Sequence, residues 1–348
     1  MMPTGSISEQ NVKRIEASWD RVGPIQILLM PLTWLFSLLV WLRRSAYRVG
    51  LVPIVKLPVP VIVIGNISVG GTGKTPLVVW LCNYLLDHGY RPGVVSRGYG
   101  GISGGSQEVG INSEPKLVGE EPVLVARRAR CPVFVGRDRV GAARALLEAH
   151  PTCDIIVSDD GLQHYRLGRD FEIAVVDGAK GFGNGFMLLA GPLREPRSRL
   201  GEVNAVVLNG KATVHVPGQT FSMKLDGDIF HNLRDRDARA TAKQFRGKRV
   251  HAVAGIGNPR RFFRQLKSMD LRFSEHAFPD HHVFRATDLE YADADAILMT
   301  EKDAIKCEPF AQDHWWYLSV DANVDNALKE LIASFLLTRT WTENFLKS

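Results

Sequence analysis

The chain has 348 residues, 45% of them hydrophobic, which is enough for a full core, suits two domains better than one and excludes a disordered chain. Its formal net charge of +6 is concentrated at the front, where Lys13, Arg14, Arg21, Arg43, Arg44, Arg48 and Lys56 face only Glu9, Glu16 and Asp20 within residues 1–60. A basic front without a basic stripe on the body argues against nucleic acid and for an anionic membrane surface. The four cysteines, Cys82, Cys131, Cys153 and Cys307, are far apart and form no CxxC pair, so they read as reduced thiols of a cytosolic compartment.

The first element is the uncharged apolar run Pro24 to Leu42, barely long enough to span a bilayer. Pro31 is expected to interrupt it. Gln26, Thr33, Ser37, Arg44 and Arg48 fall within roughly 60° of one another on a helical wheel. One narrow polar stripe on a greasy helix suits a segment embedded at the membrane interface or half docked on the protein body; a buried core helix is the alternative. The long, acid-containing leader does not read as a signal peptide.

Next, the apolar run Val59 to Ile64 feeds Gly65-Asn-Ile-Ser-Val-Gly-Gly-Thr-Gly-Lys-Thr-Pro76, and an amphipathic helix with Leu77, Val78, Leu81 and Leu85 follows. Strand, glycine-rich turn and helix make a P-loop for ATP or GTP. Backbone N–H groups across Ser68, Val69, Gly70, Gly71, Thr72 and Gly73 cradle phosphates, Lys74 reaches the terminal phosphates and the Thr75 hydroxyl can hold Mg2+. Ser68 stands where the usual pattern begins with Gly. Arg91 to Ser96 reads as a second strand, ending in the loop Ser96-Arg97-Gly98-Tyr99-Gly100-Gly101 at a carboxyl edge where ligands of open α/β sheets bind. Gly119-Glu120-Glu121-Pro122 opens a helix, and its two acids could be simple dipole complementation. Pro132 to Val135 is a short strand before an Ala-rich helix.

The run Asp154-Ile-Ile-Val-Ser-Asp159-Asp160-Gly161 is a hydrophobic strand ending in acid. That is the second half of P-loop magnesium chemistry, with the carboxylate holding the metal or its water opposite the Thr hydroxyl. Strands at Phe171 to Asp177 and Ala205 to Asn209, separated by glycine loops, indicate a doubly wound sheet. Residues 211–228 alternate polar and apolar and read as hairpin strands between two lobes. A second α/β unit starts at Lys248. Its Gly255-Ile-Gly-Asn-Pro-Arg260 lacks the third glycine of a dinucleotide fingerprint, so no NAD site is read there. Strands follow at Ala296 to Thr300 and around Trp315. Lys302 sits beside Asp303 and not two places before it, which disfavours a guanine-reading loop and hence GTP. His281 alone reads as a surface-loop histidine.

The expected fold is therefore α/β: a P-loop NTPase-like doubly wound sheet with a second, smaller α/β lobe and an N-terminal membrane-associated helix. Its expected parts are residues 1–50 at the membrane, 51–210 as P-loop domain, 211–228 as hairpin hinge and 229–348 as second lobe. Nothing in the sequence calls for nucleic acid or an obligate protein partner.

Taken together, the apolar N-terminal helix, Gly65 to Pro76, Ser-Arg-Gly-Tyr-Gly from Ser96, Asp-Asp-Gly-Leu-Gln-His from Asp159 to His164, Gly-Pro-Leu-Arg-Glu-Pro from Gly191 and Thr-Glu-Lys-Asp from Thr300 closely resemble the tetraacyldisaccharide 4'-kinases, the lipid A 4'-kinases of Gram-negative bacteria. The resemblance covers nearly the whole chain. It implies transfer of the ATP γ-phosphoryl group to the 4'-hydroxyl of a tetraacylated glucosamine disaccharide 1-phosphate, a glycolipid, at the cytoplasmic face of the inner membrane. It also implies that Lys74 and Thr75 hold phosphates and Mg2+, that Asp159, Asp160 and Glu121 belong to the metal site, and that Glu120 is the catalytic carboxylate partnered by His281. Here Glu120 replaces the family's Asp and is one methylene longer. Arg97, His164 and Arg194 are candidates for anionic groups of substrate or nucleotide. The rival reading is a membrane-associated P-loop ATPase switch with no lipid acceptor; such switches usually carry a second lysine before the glycine pair, where this chain has Val69.

Overall fold

A computed structural model describes residues 19–98, 101 and 105–346, with side chains as far as residue 338. Tyr99 and Gly100 of the Ser96–Gly101 loop and the front-end charges Glu9, Lys13, Arg14 and Glu16 lie outside the described residues. In chain order the elements are α1 (Pro24–Arg48), β1 (Val61–Gly65), α2 (Lys74–Asp87), β2 (Pro92–Ser96), β3 (Gln107–Glu108), α3 (Pro115–Val118), α4 (Glu120–Arg128), β4 (Val133–Val135), α5 (Arg139–Ala149), β5 (Ile155–Asp159), β6 (Phe171–Asp177), β7 (Ala205–Asn209), β8 (Thr220–Asp226), β9 (Ile229–Asn232), β10 (Arg239–Thr241), β11 (Val250–Ala254), α6 (Pro259–Ser268), β12 (Ser274–Ala277), β13 (Ala296–Thr300), α7 (Glu301–Cys307), β14 (Trp315–Leu318), β15 (Asp321–Val324) and α8 (Asn326–Leu346).

The chain divides into two compact units, each assembled from separated segments. The first contains residues 1–72, 160–223 and 324–348; the second contains 73–159 and 224–323.

In the first unit β8, β7, β6 and β1 lie side by side in parallel register. β1 and β6 are buried along their whole length, which is why β1 reads as an unbroken Val and Ile run and neither strand alternates in burial. The expected hairpin over 211–228 is instead a single strand, β8, that extends this parallel sheet through Val206 opposite Thr220 and Asn209 opposite Met223. The polar–apolar alternation was real, since Phe221 and Met223 are buried and their neighbours Thr220 and Ser222 exposed, but it marks a strand at this position in the sheet and not a turn.

α1 also belongs to this unit, and Pro31 does not interrupt it. Proline removes one backbone donor, yet the helix continues for 25 residues. The polar stripe is the docked face. Gln26 and Thr33 are buried; the Thr33 hydroxyl accepts from the backbone N–H of Leu189 at 3.1 Å and of Ala190 at 2.9 Å. Further along, Arg44 and Arg48 meet Glu202 at 2.6 and 2.7 Å. The apolar residues point the other way: Leu28 is 79% exposed, Trp34 67% and Trp41 61%. This inversion excludes the core-helix alternative.

In the second unit β5, β2 and β4 are parallel and β3 closes the edge antiparallel. The crossover β2–α4–β4 and the crossover β4–α5–β5 run across the strands in opposite directions, so right-handed connections put α4 and α5 on opposite faces. This is the doubly wound arrangement. A further sheet in the order β10-β9-β14-β13-β11-β12 forms the second α/β part. Its strands alternate strictly: Val250, Ala252, Ala254 and Leu298 face Phe262, Phe263 and Leu266 of α6, whereas Val253, Ile297 and Met299 face Ala304 and Cys307 of α7.

Candidate functional site

The chain's connectivity places the phosphate-loop lysine. α2 packs on β2 and β5, and residues 88–91 join its end to the start of β2. A helix of 14 residues spans about 21 Å and returns to the amino end of that strand, so its first residue, Lys74, lies at the carboxyl edge. Asp159 ends the parallel strand β5 at the same edge. By the same reasoning α4, whose end leads into β4, begins there with Glu120. Lys74, Thr75, Glu120, Glu121 and Asp159 thus belong to one unit and one edge.

Gly73 caps α2 with φ of +93°, a conformation that a residue with a Cβ adopts only under strain. Asp159 is 1% exposed, its carboxylate accepts from Ser96 Oγ at 3.3 Å, and its backbone carbonyl accepts from the buried Arg139 guanidinium at 3.1 Å. Arg139 in turn is anchored on the Gly136 carbonyl at 2.9 Å. The Gly136-Arg137-Asp138-Arg139 stretch therefore fixes the strand end, a role the sequence reading had not given it.

Glu120 and His281 are in direct contact through Oε1 and Nδ1. Both belong to the second unit, so no movement at the hinge expected over 211–228 is needed to bring them together. Two lysines complete the cluster: Lys302 Nζ lies 3.3 Å from Glu120 Oε1, 3.0 Å from Glu121 Oε1 and 3.6 Å from Asp280, and Lys306 Nζ lies 3.6 Å from Glu120 Oε2. Burial would raise the Glu120 carboxyl, but the His281 hydrogen bond and the charges of Lys302 and Lys306 outweigh it and hold it at about 2. Burial would likewise lower the Lys302 ammonium, and Glu121, Asp280 and Glu120 reverse that and push it up. His281 sits at φ of +59°, held in a turn that aims its ring at the carboxylate.

α7 delivers both lysines. Thr300 caps its start, with its hydroxyl accepting from Asp303 N–H at 3.2 Å and donating to the Asp303 carboxylate at 2.6 Å. Asp303, fully buried, accepts from Gly255 N–H at 2.9 Å and pairs with Lys306 at 2.7 Å. The Thr-Glu-Lys-Asp string is thus a helix start that aims Lys302 and Lys306, four apart on one helical face, at the Glu120 carboxylate. That spacing gains its meaning only from its tertiary partner, Glu120.

In the first unit the loop from Asn66 to Thr72 is braced by backbone contacts from the Pro192–Arg194 segment. Val69 N–H donates to the Pro192 carbonyl at 2.8 Å and Arg194 N–H to the Ile67 carbonyl at 2.7 Å. Asn209 donates to the Thr72 carbonyl at 2.9 Å, and Asn66 to the Thr72 hydroxyl at 3.4 Å. Lys180 stands beside Gly70, where a Cβ would lie 3.6 Å from its ammonium. Asp160 pairs with Arg194 at 3.1 Å, so one expected metal-site acid and one expected anion contact engage each other. His164 is half-buried in this unit, and Arg97 is exposed in the second.

Magnesium fits the donor set: the Thr75 hydroxyl and the carboxylates of Asp159 and Glu121 are the hard oxygen ligands that ion takes. Among the described residues no group of three or more His, Cys, Asp or Glu is arranged to hold a metal.

A family model described as Tetraacyldisaccharide-1-P 4'-kinase matches residues 25–337. The chain is 48% identical to the tetraacyldisaccharide 4'-kinase of Methylobacillus flagellatus, over 92% of this chain and 95% of that one, and 52% identical to the one from Azoarcus sp. strain BH72, over 90% and 93%. It also resembles a crystal structure of LpxK from Aquifex aeolicus in complex with ATP, with a TM-score of 0.76 and 28% identity over 89% of this chain and 99% of the other. On these matches the chain belongs to the tetraacyldisaccharide-1-P 4'-kinase family.

Proposed function

We propose that this protein transfers the γ-phosphoryl group of ATP to the 4'-hydroxyl of a tetraacylated glucosamine disaccharide 1-phosphate, working at the cytoplasmic face of the inner membrane. The observation that carries the reading is the Glu120–His281 contact, flanked by Lys302 and Lys306, on the sheet edge that also holds Lys74 and Asp159.

The acceptor oxygen forms its bond to the γ-phosphorus as the bond to the β-bridging oxygen breaks and ADP leaves. Lys74 neutralises charge on the transferring group, and the backbone amides from Ser68 to Gly73 hold the phosphates. Thr75, Asp159 and Glu121 would hold Mg2+, which would supply Lewis-acid charge neutralisation; Asp160, expected beside them, is engaged by Arg194. Glu120, ionised at any physiological pH, accepts a hydrogen bond from the acceptor hydroxyl and holds it in line. A carboxylate near 2 is a weak base, which is sufficient in a loose transition state: the hydroxyl proton becomes acidic only once its oxygen is bonding to phosphorus, and it then passes to the Glu120–His281 pair. Arg97, His164 and Arg194 remain assigned to anionic groups of the substrates.

The outward apolar face of α1 supports a helix lying in the membrane surface with its polar stripe on the protein. A helix of 25 residues is also long enough to cross a bilayer, but a crossing helix would carry the buried contacts of Thr33 away from their partners.

Incubating membranes with γ-labelled ATP and the disaccharide 1-phosphate tests the reaction: label should appear on the lipid with wild type and not with Lys74→Ala. ATP hydrolysis stimulated by vesicles without any lipid acceptor would replace this reading with that of an ATPase switch. Glu120→Gln should lower turnover by roughly 10²- to 10⁴-fold while Glu120→Asp retains much of it; equal losses would mean that another carboxylate faces the hydroxyl.

A further inference from the structure

A cavity of about 350 Å³ lies in the first unit at the carboxyl end of α1. Its cationic wall is formed by Arg44, Arg48, Lys56, Arg169 and Arg199, with Tyr47 beside them. The deeper charges are matched: Arg199 meets Glu172 at 2.5 Å and Glu195 at 3.6 Å, and Arg169 meets Glu172 at 2.9 Å. Glu202 is shared by Arg44 at 2.6 Å, Arg48 at 2.7 Å and Arg199 at 3.8 Å. Four arginines thus share three carboxylates, and Lys56 adds a fifth cation. The surplus sits at the mouth, where the Arg48 side chain is 63% exposed and the exposed Lys56 makes no ion pair among the described residues.

The mouth is held rigidly. Gly168 N–H donates to the Val55 carbonyl at 2.8 Å and Val55 N–H to the Arg166 carbonyl at 2.8 Å, which fixes the backbone that carries Lys56. A Cβ on Gly168 would meet the Val55 carbonyl oxygen at 2.9 Å, so this close approach needs glycine. Exposed apolar residues bracket these cations in the chain: Trp41 and Leu42 precede Arg44, and Val49, Leu51 and Ile54 lie between Arg48 and Lys56. With those groups in the acyl region, the opening lies at the depth of lipid phosphates.

We infer that this cavity holds the phosphate of an anionic membrane phospholipid, gripped by the Arg48 guanidinium as a two-pronged donor and by Lys56 as a point charge. The inference rests on the reading of α1 as a membrane-surface helix. It assigns a lipid other than the acceptor to a site other than the catalytic edge. Arg44 and Arg199 keep Glu202 neutralised, so Arg48 can turn to a second anion without leaving a bare carboxylate behind.

Flotation of the full chain with vesicles of phosphatidylcholine alone, and of phosphatidylcholine with phosphatidylglycerol, tests it. Wild type should bind both and prefer the anionic vesicles. The double variant Arg48→Gln/Lys56→Gln should lose roughly 30-fold on anionic vesicles and nothing on neutral ones. Lys224→Gln/Arg264→Gln, which removes the same charge from the other unit, should keep the wild-type preference. Equal losses in the two double variants would reduce the cavity to diffuse electrostatics and overturn the assignment, as would an undiminished anionic preference after loss of Arg48 and Lys56. Failure of wild type to bind either vesicle would instead overturn the membrane reading beneath it. Inorganic phosphate, added without vesicles at fixed ionic strength, should not raise the melting temperature; a rise in wild type that is absent from Arg48→Gln/Lys56→Gln would identify a free-phosphate site in place of a headgroup site. Thermal melts of both double variants in non-ionic detergent check that each is folded.

Discussion

At the residue scale the catalytic edge depends on one carboxylate kept charged in a buried place. The shift of Glu120 from an ordinary 4.5 to about 2 corresponds to an upper figure on the order of 3 kcal/mol of native-state stabilisation. A depressed carboxyl pKa stabilises the fold fully above the unfolded value near 4.5, and the contribution drains away as pH falls toward the folded value. Glu120→Gln should therefore lower the denaturation midpoint at pH 7, with the gap to wild type narrowing once the pH falls below about 4.5; a gap that stays constant to pH 3 would contradict the charge arrangement. Lys302 is the complementary case. Its removal leaves the buried Glu120 facing the half-buried Glu121 and the carboxylate of Asp280, so Lys302→Met should destabilise by roughly 2 kcal/mol. Adding Glu121→Gln should recover about 1 kcal/mol or more of that loss, a coupling that a double-mutant cycle measures directly.

At the scale of elements, strand ends carry the chemistry and close backbone approaches set where they stop. Gly65 ends β1 where a Cβ would lie 2.7 Å from Leu162 Cγ and 3.0 Å from Leu162 N. Gly65→Ala should cost about 1–3 kcal/mol in chemical denaturation, because rigid backbone lies in the way and not only a movable side-chain tip. Much of this was legible in the sequence. The apolar runs before Gly65, Ser96 and Asp159 are strands because a strand covered on both faces has no polar side to display, and the small or acidic residue that ends each run is a local signal. Pro31 misled because local propensity cannot weigh a missing donor against a whole docked face. Residues 211–228 misled because alternation reports a half-buried strand without saying which strand lies beside it. Lys302 and Lys306 were invisible as site residues because their carboxylate partner lies some 180 positions away in the chain, and the brace between Pro192 and Val69 is hidden for the same reason: backbone hydrogen bonds carry no side-chain signature.

At the scale of the whole molecule, the chain passes between its two compact units at Thr72–Gly73, at Asp159–Asp160, at Met223–Lys224 and at Asn323–Val324. The phosphate loop and the acidic pair are themselves split by these crossings. No single cut separates the units, so fragments 1–223 and 224–348 expressed apart should each fail to give a cooperative melt, since each lacks segments its unit requires. A cooperative transition in either fragment would contradict this interleaving. It also follows that Lys74 and Thr75 are positioned by the second unit while the residues before Gly73 are positioned by the first.

The inverted α1 has a consequence for anyone who handles the protein. Deleting residues 24–48 looks like the obvious route to a well-behaved water-soluble version, but the helix is a plug as much as a float. Without Thr33 the amides of Leu189 and Ala190 lose their acceptor, and without Arg44 and Arg48 the carboxylate of Glu202 loses its two nearest counter-charges. Truncation should therefore trade greasy aggregation for a wounded flank, and mild detergent on the intact chain should preserve activity better than shortening it.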